Sequence, residues 1–144
     1  MFFNDITIGM KNDLDPVEVK EDEMLAFAEK YDNCPIHTDI EYAKTTKFGK
    51  ILSPGLLTYA LVWSKYLEKD FFGEELIAGK STKMEWHAPV FAGEILYGKV
   101  EVIDKIDRNP KNGIVVIQIN VYNKEDALLL SSTTEAIVKK KING

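Results

Sequence analysis

The chain has 144 residues, of which 45% are hydrophobic, and this length suits one domain with one substantial core. Its formal net charge is −5 and its lysines are scattered, which argues against nucleic acid as a main partner. No apolar run approaches the ~20 residues of a membrane span, and the first residues lack the basic and apolar regions of a signal peptide. The single cysteine, Cys34, cannot form an internal disulfide, so we expect a reducing, cytoplasmic location.

Helical and loop signals dominate the first half of the chain. Residues 22–30 predict a short amphipathic helix whose first residues are acidic, as the positive N-terminal end of a helix favours. Residues 31–37 are expected to be irregular, because Pro35 removes a backbone donor and pushes the preceding residue out of the helical region. A short helix should follow from Asp39, a good N-cap, and end near residues 48–49.

The next segment predicts the central helix of the fold. Ser53 as N-cap and Pro54 at the first helical position form a strong start signal for a helix over residues 56–67. Between residues 56 and 63 only Thr58 is plainly polar. A helix that is apolar nearly all round should be buried, so other elements must surround it.

The second half of the chain reads as successive strands separated by turn residues. In the third strand the odd-numbered aliphatic residues share one face, while Gln118 and Asn120 point the other way. This alternation indicates an antiparallel sheet with one covered face. An antiparallel sheet wrapped around a central buried helix is the α+β architecture called the hotdog fold, and we expect one such domain over residues 1–144. The predicted strands cover residues 80–91, 94–106, 113–123 and 127–139.

Two polar residues in the loop after the first helix are candidates for acid–base chemistry. Asp32 and His37 lie five residues apart, with Pro35 between them, so a loop could bring both side chains to one small volume. A carboxylate beside an imidazole can orient a water molecule and exchange protons with it near neutral pH. The alternative is that Asp32 and Asp39 are helix caps and that His37 bonds only to the backbone.

The start of the central helix is a second candidate. Amides in a first helical turn have no partner within the helix and carry partial positive charge. Pro54 has no N–H, so Gly55 offers the first free donor, and its missing side chain would let a thioester carbonyl approach. Such a donor suits an enolate-like oxyanion. The alternative is an ordinary cap of a core helix.

Taken together, these segments resemble the signature of the MaoC-like (R)-specific enoyl-CoA hydratases. That signature runs Asp-any-Asn-Pro-Ile/Leu-His-any-Asp, then an Ala, a Phe-Gly, and a His-Gly-Met/Leu before the central helix. Several matches in the right order are more specific than any one short motif. The matching residues are Asp32 to Asp39, Ala43, Phe48 to Ile51 and Gly55 to Thr58, and residues 86–94 are similar to the family's Pro-Val-Phe-any-Gly-Asp turn.

The resemblance implies reversible addition of water to a trans-2-enoyl thioester, giving the (R)-3-hydroxyacyl product. Carried over by position, Asp32 and His37 are the acid–base pair and Gly55 the oxyanion donor. We also expect Ser53, Leu56 and Thr58 to bind the substrate. No metal or redox cofactor is implied; coenzyme A or an acyl carrier protein carries the acyl group. Family members form homodimers, so the expected partners are a small acyl thioester and a second copy of the chain.

Two positions depart from the family pattern. Cys34 replaces the usual Asn, which removes an amide that helps to fix the loop, and Pro54 replaces the usual His before the glycine. Both departures leave the acid–base pair in place and leave the identity of the substrate open.

Two other functions fit the same fold. Acyl-CoA thioesterases of this fold generally carry a carboxylate on the central helix, and residues 56–67 contain none. A non-catalytic acyl-thioester binder, or the silent subunit of a heterodimeric dehydratase, needs no acid–base pair. Fold alone does not choose among these functions.

Overall fold

Four long antiparallel strands form the frame of the molecule. They are seen in a computed structural model that describes residues 1–142. The neighbour order in the sheet is β1-β4-β5-β6-β3, and β2 also pairs with β4. The strands are β1 (Lys11–Asp13), β2 (Val17–Glu18), β3 (Leu76–Trp86), β4 (Ile95–Asp107), β5 (Asn112–Tyr122) and β6 (Leu128–Lys139). The four predicted strands are therefore present, but β3 begins four residues before the predicted range 80–91 and ends five residues before its end. The short strands β1 and β2 lack a periodic signal and were not predicted.

The helices lie in the first half of the chain, as predicted. They are α1 (Glu21–Tyr31), α2 (Pro35–Thr38), α3 (Ile40–Thr45) and α4 (Gly55–Glu68), and short 3₁₀ turns cover Phe3–Asp5 and Gly73–Glu75. Among residues 1–142 no helix is long and apolar enough to cross a membrane.

The segment between α1 and α3 differs in part from its prediction. Cys34 is extended, with φ −130° and ψ 152°, as expected before a proline. Residues 35–38, however, are helical, because a proline fits the first position of a helix, where its missing N–H costs no hydrogen bond. Asp39 caps α3 as predicted, since its Oδ1 accepts from the amide of Tyr42 at 3.0 Å.

Helix α3 ends earlier than predicted, at Thr45 rather than near residue 48. The hydroxyl of Thr45 donates to the carbonyl of Tyr42 at 2.7 Å, and the hydroxyl of Thr46 donates to the carbonyl of Ala43 at 2.8 Å. Threonine hydroxyls that bond to nearby carbonyls compete with continued helix formation.

Helix α4 crosses the concave face of the sheet. Its residues Leu57, Val62 and Tyr66 join one hydrophobic cluster with inward-facing residues of β4, β5 and β6. In β5 the predicted face is confirmed: Val115, Ile117, Ile119 and Val121 are buried, and Gln118 and Asn120 are half-buried. The sheet thus wraps around α4, as the sequence predicts.

The expectation that other elements surround α4 on all sides is wrong for a single chain. The helix is buried on one side only, by Leu57, Thr58, Val62 and Tyr66, whereas the other side exposes Leu56, Ala60, Ser64 and Leu67. The sheet of one chain curves far enough to cover one face of a 14-residue helix and not the opposite one. An apolar stripe therefore remains open to solvent.

Helix α4 packs closely against the sheet at Gly98 in β4. A Cβ built at Gly98 would lie 2.7 Å from Cγ1 of Val62 and 2.9 Å from Cδ1 of Leu14. Both neighbours belong to the buried cluster, so neither can move aside freely. Glycine at this position lets the backbone of β4 contact the side chains of α4 directly.

We expect Gly98→Ala to lower the free energy of unfolding by about 1–3 kcal/mol, the typical cost of overpacking a core. Chemical denaturation followed by circular dichroism measures this change. Gly79→Ala is the matched control, because a Cβ at Gly79 in β3 would meet nothing within 4 Å. Equal stability of the two variants would contradict the close packing at Gly98.

Candidate active site

The end of α1 and the whole of α2 bring Asp32 and His37 together. Asp32 is the C-cap residue of α1, and its amide donates to the carbonyl of Ala28 at 3.0 Å. The chain then turns at Cys34, and the single turn of α2 carries His37 back toward α1. Nε2 of His37 lies 3.5 Å from Oδ2 of Asp32. The predicted convergence of these two side chains is confirmed as geometry.

His37 is held by the backbone through one ring nitrogen. Its Nδ1 lies 2.8 Å from the carbonyl oxygen of Leu52, and the residue is only 8% exposed. Because a carbonyl can only accept, Nδ1 carries the proton of the neutral ring and Nε2 presents a lone pair. The alternative interpretation, that His37 bonds to the backbone, is therefore correct for Nδ1. This bond leaves Nε2 directed at Asp32.

Cys34 lies against the same carboxylate. Its Sγ is 3.4 Å from Oδ1 of Asp32 and donates to it. Partial burial raises the pKa of the Cys34 thiol, and the hydrogen bond and negative charge of Asp32 raise it further. A protonated thiol is a poor nucleophile, so the site does not favour covalent chemistry at Cys34.

The start of α4 forms the opposite wall. The Ser53 amide donates to the Val90 carbonyl at 2.8 Å, which ties the helix entry to the segment after β3. Within the described chain the Gly55 amide donates to no other group. As the first residue of a 14-residue helix, it presents a free donor with the positive end of the helix dipole behind it.

Ser53 does not cap α4 as predicted. The N-cap residue is Pro54, one position later, so the Ser53 hydroxyl cannot reach the first-turn amides. That hydroxyl lies 3.0 Å from Oγ1 of Thr58, and both residues are buried. Thr58 also donates to the carbonyl of Pro54 at 3.3 Å. These two hydroxyls brace the turn that places Gly55.

The space beside Gly55 is occupied by Trp86, the first residue of the segment 86–94, for which no role at the site is predicted. A Cβ at Gly55 would lie 2.4 Å from Cε2 and Nε1 of the indole. Glycine at residue 55 therefore lets the Trp86 ring lie against the start of α4. Trp86 lies within the predicted strand 80–91, and nothing in the pattern of that strand connects residue 86 with residue 55.

All six predicted site residues line one open cleft of about 650 Å³. They are Asp32, His37, Ser53, Gly55, Leu56 and Thr58, and the remaining wall consists of Phe48, Leu52 and residues 86–90. Most of this wall is apolar, and its polar groups include the carboxylate of Asp32 and the imidazole of His37. His87 also lines the cleft, and its Nε2 lies 2.7 Å from Oγ of Ser131.

We expect Gly55→Ala to displace the indole of Trp86 while changing stability little, because that side chain is 51% exposed and can swing outward. Intrinsic fluorescence should report the displacement as a change in emission. The same substitution in a Trp86→Phe background, where Trp63 is the remaining tryptophan, should leave the emission unchanged. If Gly55→Ala still changed the emission in the Trp86→Phe background, the contact between Gly55 and Trp86 would not explain the change.

Comparison with known proteins places this arrangement in a family. Three solved structures share the fold along nearly the whole chain. The monoamine oxidase regulatory protein from Archaeoglobus fulgidus is 30% identical, with a TM-score of 0.92 and coverage of 99% of this chain and 96% of that one. A MaoC-like dehydratase from Rhodospirillum rubrum is 25% identical, with a TM-score of 0.85 and 99% coverage of both chains. An (R)-hydratase from A. caviae involved in PHA biosynthesis is 28% identical, with a TM-score of 0.74 and coverage of 95% and 98%.

The hotdog fold predicted from the sequence is thus confirmed by these neighbours. The model of the MaoC like domain matches residues 4–123, which is most of the chain. The chain belongs to the MaoC-like dehydratase family.

Proposed function

We propose that the protein is a hydro-lyase that adds water reversibly to trans-2-enoyl thioesters and forms (R)-3-hydroxyacyl thioesters. The observation that carries this proposal is the pairing of Asp32 with His37 at 3.5 Å, opposite a free helix N-terminal amide in one cleft. Family membership supports hydration or dehydration as the class of reaction.

Asp32 and His37 would hold the reacting water between them. Nε2 of His37 has a lone pair because Nδ1 donates to Leu52, and the carboxylate of Asp32 can only accept. The water oxygen bonds to the 3-carbon of the enoyl group and loses a proton to this pair. The pair returns a proton to the 2-carbon on the same face, so one water is consumed and no other proton is needed.

The Gly55 amide would stabilise the charge that develops on the thioester oxygen. Attack at the 3-carbon pushes electron density toward the carbonyl, giving an enolate-like oxyanion. A fixed amide at the positive end of α4 donates to that oxygen without reorganising. The hydroxyls of Ser53 and Thr58 would hold this turn, and the exposed Leu56 would contact the acyl group.

The chemistry proposed here needs no metal and no redox cofactor. The acyl group would arrive as a thioester of coenzyme A or of an acyl carrier protein. The single cysteine favours a reducing compartment, and we place the reaction in the cytoplasm.

A thioesterase fits the site less well. The described length of α4 carries one carboxylate, Glu68, at its last residue, and this side chain pairs with Lys65 at 3.1 Å. It lies at the opposite end of the helix from Gly55. No carboxylate on α4 therefore reaches the cleft to activate a water for attack on the thioester carbon.

We expect Asp32→Asn and His37→Ala each to reduce hydration roughly 10²–10⁴-fold, because each removes one holder and proton carrier of the water. The measurement follows loss of the conjugated enoyl absorbance with crotonyl-CoA and longer enoyl-CoAs. The double variant should be little worse than the worse single variant, since the pair acts as a unit.

Asp39→Asn is the matched control for Asp32→Asn. Asparagine caps a helix as well as aspartate does, and Asp39 does not line the cleft, so turnover should stay near normal. A folded double variant that retains most of its activity would overturn the proposal. Release of free thiol in place of hydration would favour the thioesterase, and binding of enoyl thioesters without turnover would favour the silent module.

We further propose that the protein works as a homodimer joined through β3. This 11-residue strand lies at the sheet edge and is exposed on both faces, apart from the half-buried Met84. An open cavity of about 160 Å³ separates it from Trp63 and Leu67 of α4. A long exposed edge is a template for strand pairing, so a second copy could extend the sheet there and cover the exposed stripe of α4.

Light scattering at micromolar concentration should give twice the 16.3 kDa chain mass, or a multiple of that value. Ile77→Lys should shift the mass toward the monomer, because Ile77 lies in β3 with 48% exposure. Ile103→Lys is the matched control: Ile103 is 36% exposed in β4, away from the free edge, and should leave the mass unchanged. A monomeric wild-type protein would contradict the dimer.

A further inference from the structure

We propose that Asp32, Cys34 and His37 form a binding site for a thiophilic divalent cation, with Zn²⁺ as the expected ion. The site goes beyond the proposed hydratase function and does not depend on it. It arises because a cysteine stands where the family signature has asparagine, within the six residues that also carry the acid–base pair.

The distances among the three side chains suit a metal. One ligand atom from each residue lies within 4.8 Å of the other two. Sγ of Cys34 is 3.4 Å from Oδ1 of Asp32, and Nε2 of His37 is 3.5 Å from Oδ2. Tetrahedral zinc, with bonds of about 2.0–2.3 Å, separates its ligand atoms by about 3.3–3.6 Å. The two contacts use different oxygens of Asp32, so side-chain rotation would have to bring one carboxylate oxygen, Sγ and Nε2 onto one ion.

His37 supplies an observation independent of these distances. The residue is 8% exposed and its side chain 11%, and within the described part of the chain its Nε2 makes no hydrogen bond. The contact of the other ring nitrogen, Nδ1, does not enter the distances above. This Nδ1–H donates to the Leu52 carbonyl at 2.8 Å. Metal-binding histidines characteristically donate their other ring N–H to a carbonyl or carboxylate, which fixes the ring orientation and directs the lone pair at the ion.

The donor set determines the kind of ion. One sulfur, one imidazole nitrogen and one carboxylate oxygen suit zinc or cobalt, whereas magnesium and calcium prefer oxygen ligands alone. Binding displaces the proton of the Cys34 thiol into solvent, and the two negative charges of thiolate and carboxylate balance the ion. Asp32 has a side chain 32% exposed toward solvent, so the ion can enter and keep a water as its fourth ligand.

The bound ion would act as an inhibitor and not as a cofactor. It would occupy Nε2 of His37 and the carboxylate of Asp32, the atoms that hold the reacting water under the proposed function. Neither group could then accept a proton from a substrate water.

Cobalt provides a direct test, because a thiolate bound to Co²⁺ gives a charge-transfer absorption that oxygen and nitrogen ligands do not. Tag-free, metal-free protein is titrated with Co²⁺, and the bound ion is then displaced with Zn²⁺. We expect one ion per chain and a charge-transfer band that Zn²⁺ abolishes. The band should be missing in Cys34→Ser and in Cys34→Asn, and loss of a ligand in His37→Ala or Asp32→Asn should weaken affinity at least about tenfold.

His87→Ala is the matched control for His37→Ala, since His87 lines the same cleft but bonds to Ser131 and is outside the cluster. It should bind cobalt as the wild type does. Circular dichroism checks that each variant is folded, and Cys34→Asn restores the residue of the family signature if serine is not tolerated.

Two results would overturn the proposal: a folded wild-type protein without the charge-transfer band at saturating Co²⁺, or equal Zn²⁺ affinities in wild type and Cys34→Asn. The first is read from absorbance and the second from isothermal titration calorimetry with Zn²⁺, and neither is read from turnover. A protein that binds the ion but hydrates no enoyl thioester would leave the site standing and remove the hydratase function, and the reverse outcome would do the opposite.

Discussion

Two hydrogen bonds between α2 and Leu52 link the two sides of the cleft. The Leu52 amide donates to the carbonyl of Ile36 at 3.0 Å, and the Leu52 carbonyl accepts from Nδ1 of His37 at 2.8 Å. A net hydrogen bond contributes about 0.5–1.5 kcal/mol, and breaking one in a buried place costs more than making it gains. Because Leu52 lies three residues before α4, these two bonds join the acid–base pair to the helix N-terminus that faces it.

The large apolar interior fixes the positions of α4 and of the segment after β3, the elements next to this contact. Gly98 allows α4 to lie directly against β4, and the amide of Ser53 anchors the helix entry to the segment after β3. Trp86, at the end of β3, packs on the Gly55 backbone. Trp86 and Val90, two residues of one segment, therefore connect the sheet to the cleft, and a displacement of β3 would alter the position of the proposed oxyanion donor, Gly55.

Much of the fold follows from local patterns in the sequence. Four long strands with alternating faces and one apolar helix leave few arrangements that bury the apolar surface, and the observed sheet around α4 is one of them. Prediction failed where the outcome depends on a contact between distant residues. The exposed side of α4 depends on how far one sheet curves, and β1 and β2 exist because β4 offers them an edge.

The candidate site shows the same division. Asp32 and His37 could be paired from spacing and Pro35, because a turn within six residues is a local property. The partner of Nδ1 could not be predicted, since Leu52 is fifteen residues away and contributes only its carbonyl. The contact of Trp86 with Gly55 could not be predicted either, because it joins the end of a strand to the start of a helix. The prediction that Ser53 caps α4 was wrong, because the helix starts one residue later than expected and the Ser53 hydroxyl contacts Thr58.

A site that holds a reacting water must keep lone pairs free of protein partners. Nε2 of His37 and Oδ2 of Asp32 make no hydrogen bond within residues 1–142, whereas Oδ1 of Asp32 accepts from Cys34. The free lone pairs are also open to any cation of suitable size. With asparagine at position 34, such a ligand would meet an amide, which binds soft cations poorly. With Cys34 it meets a thiol that a cation can deprotonate. The cysteine at position 34 thus changes which ligands can compete with water for Asp32 and His37, while both of these residues stay the same.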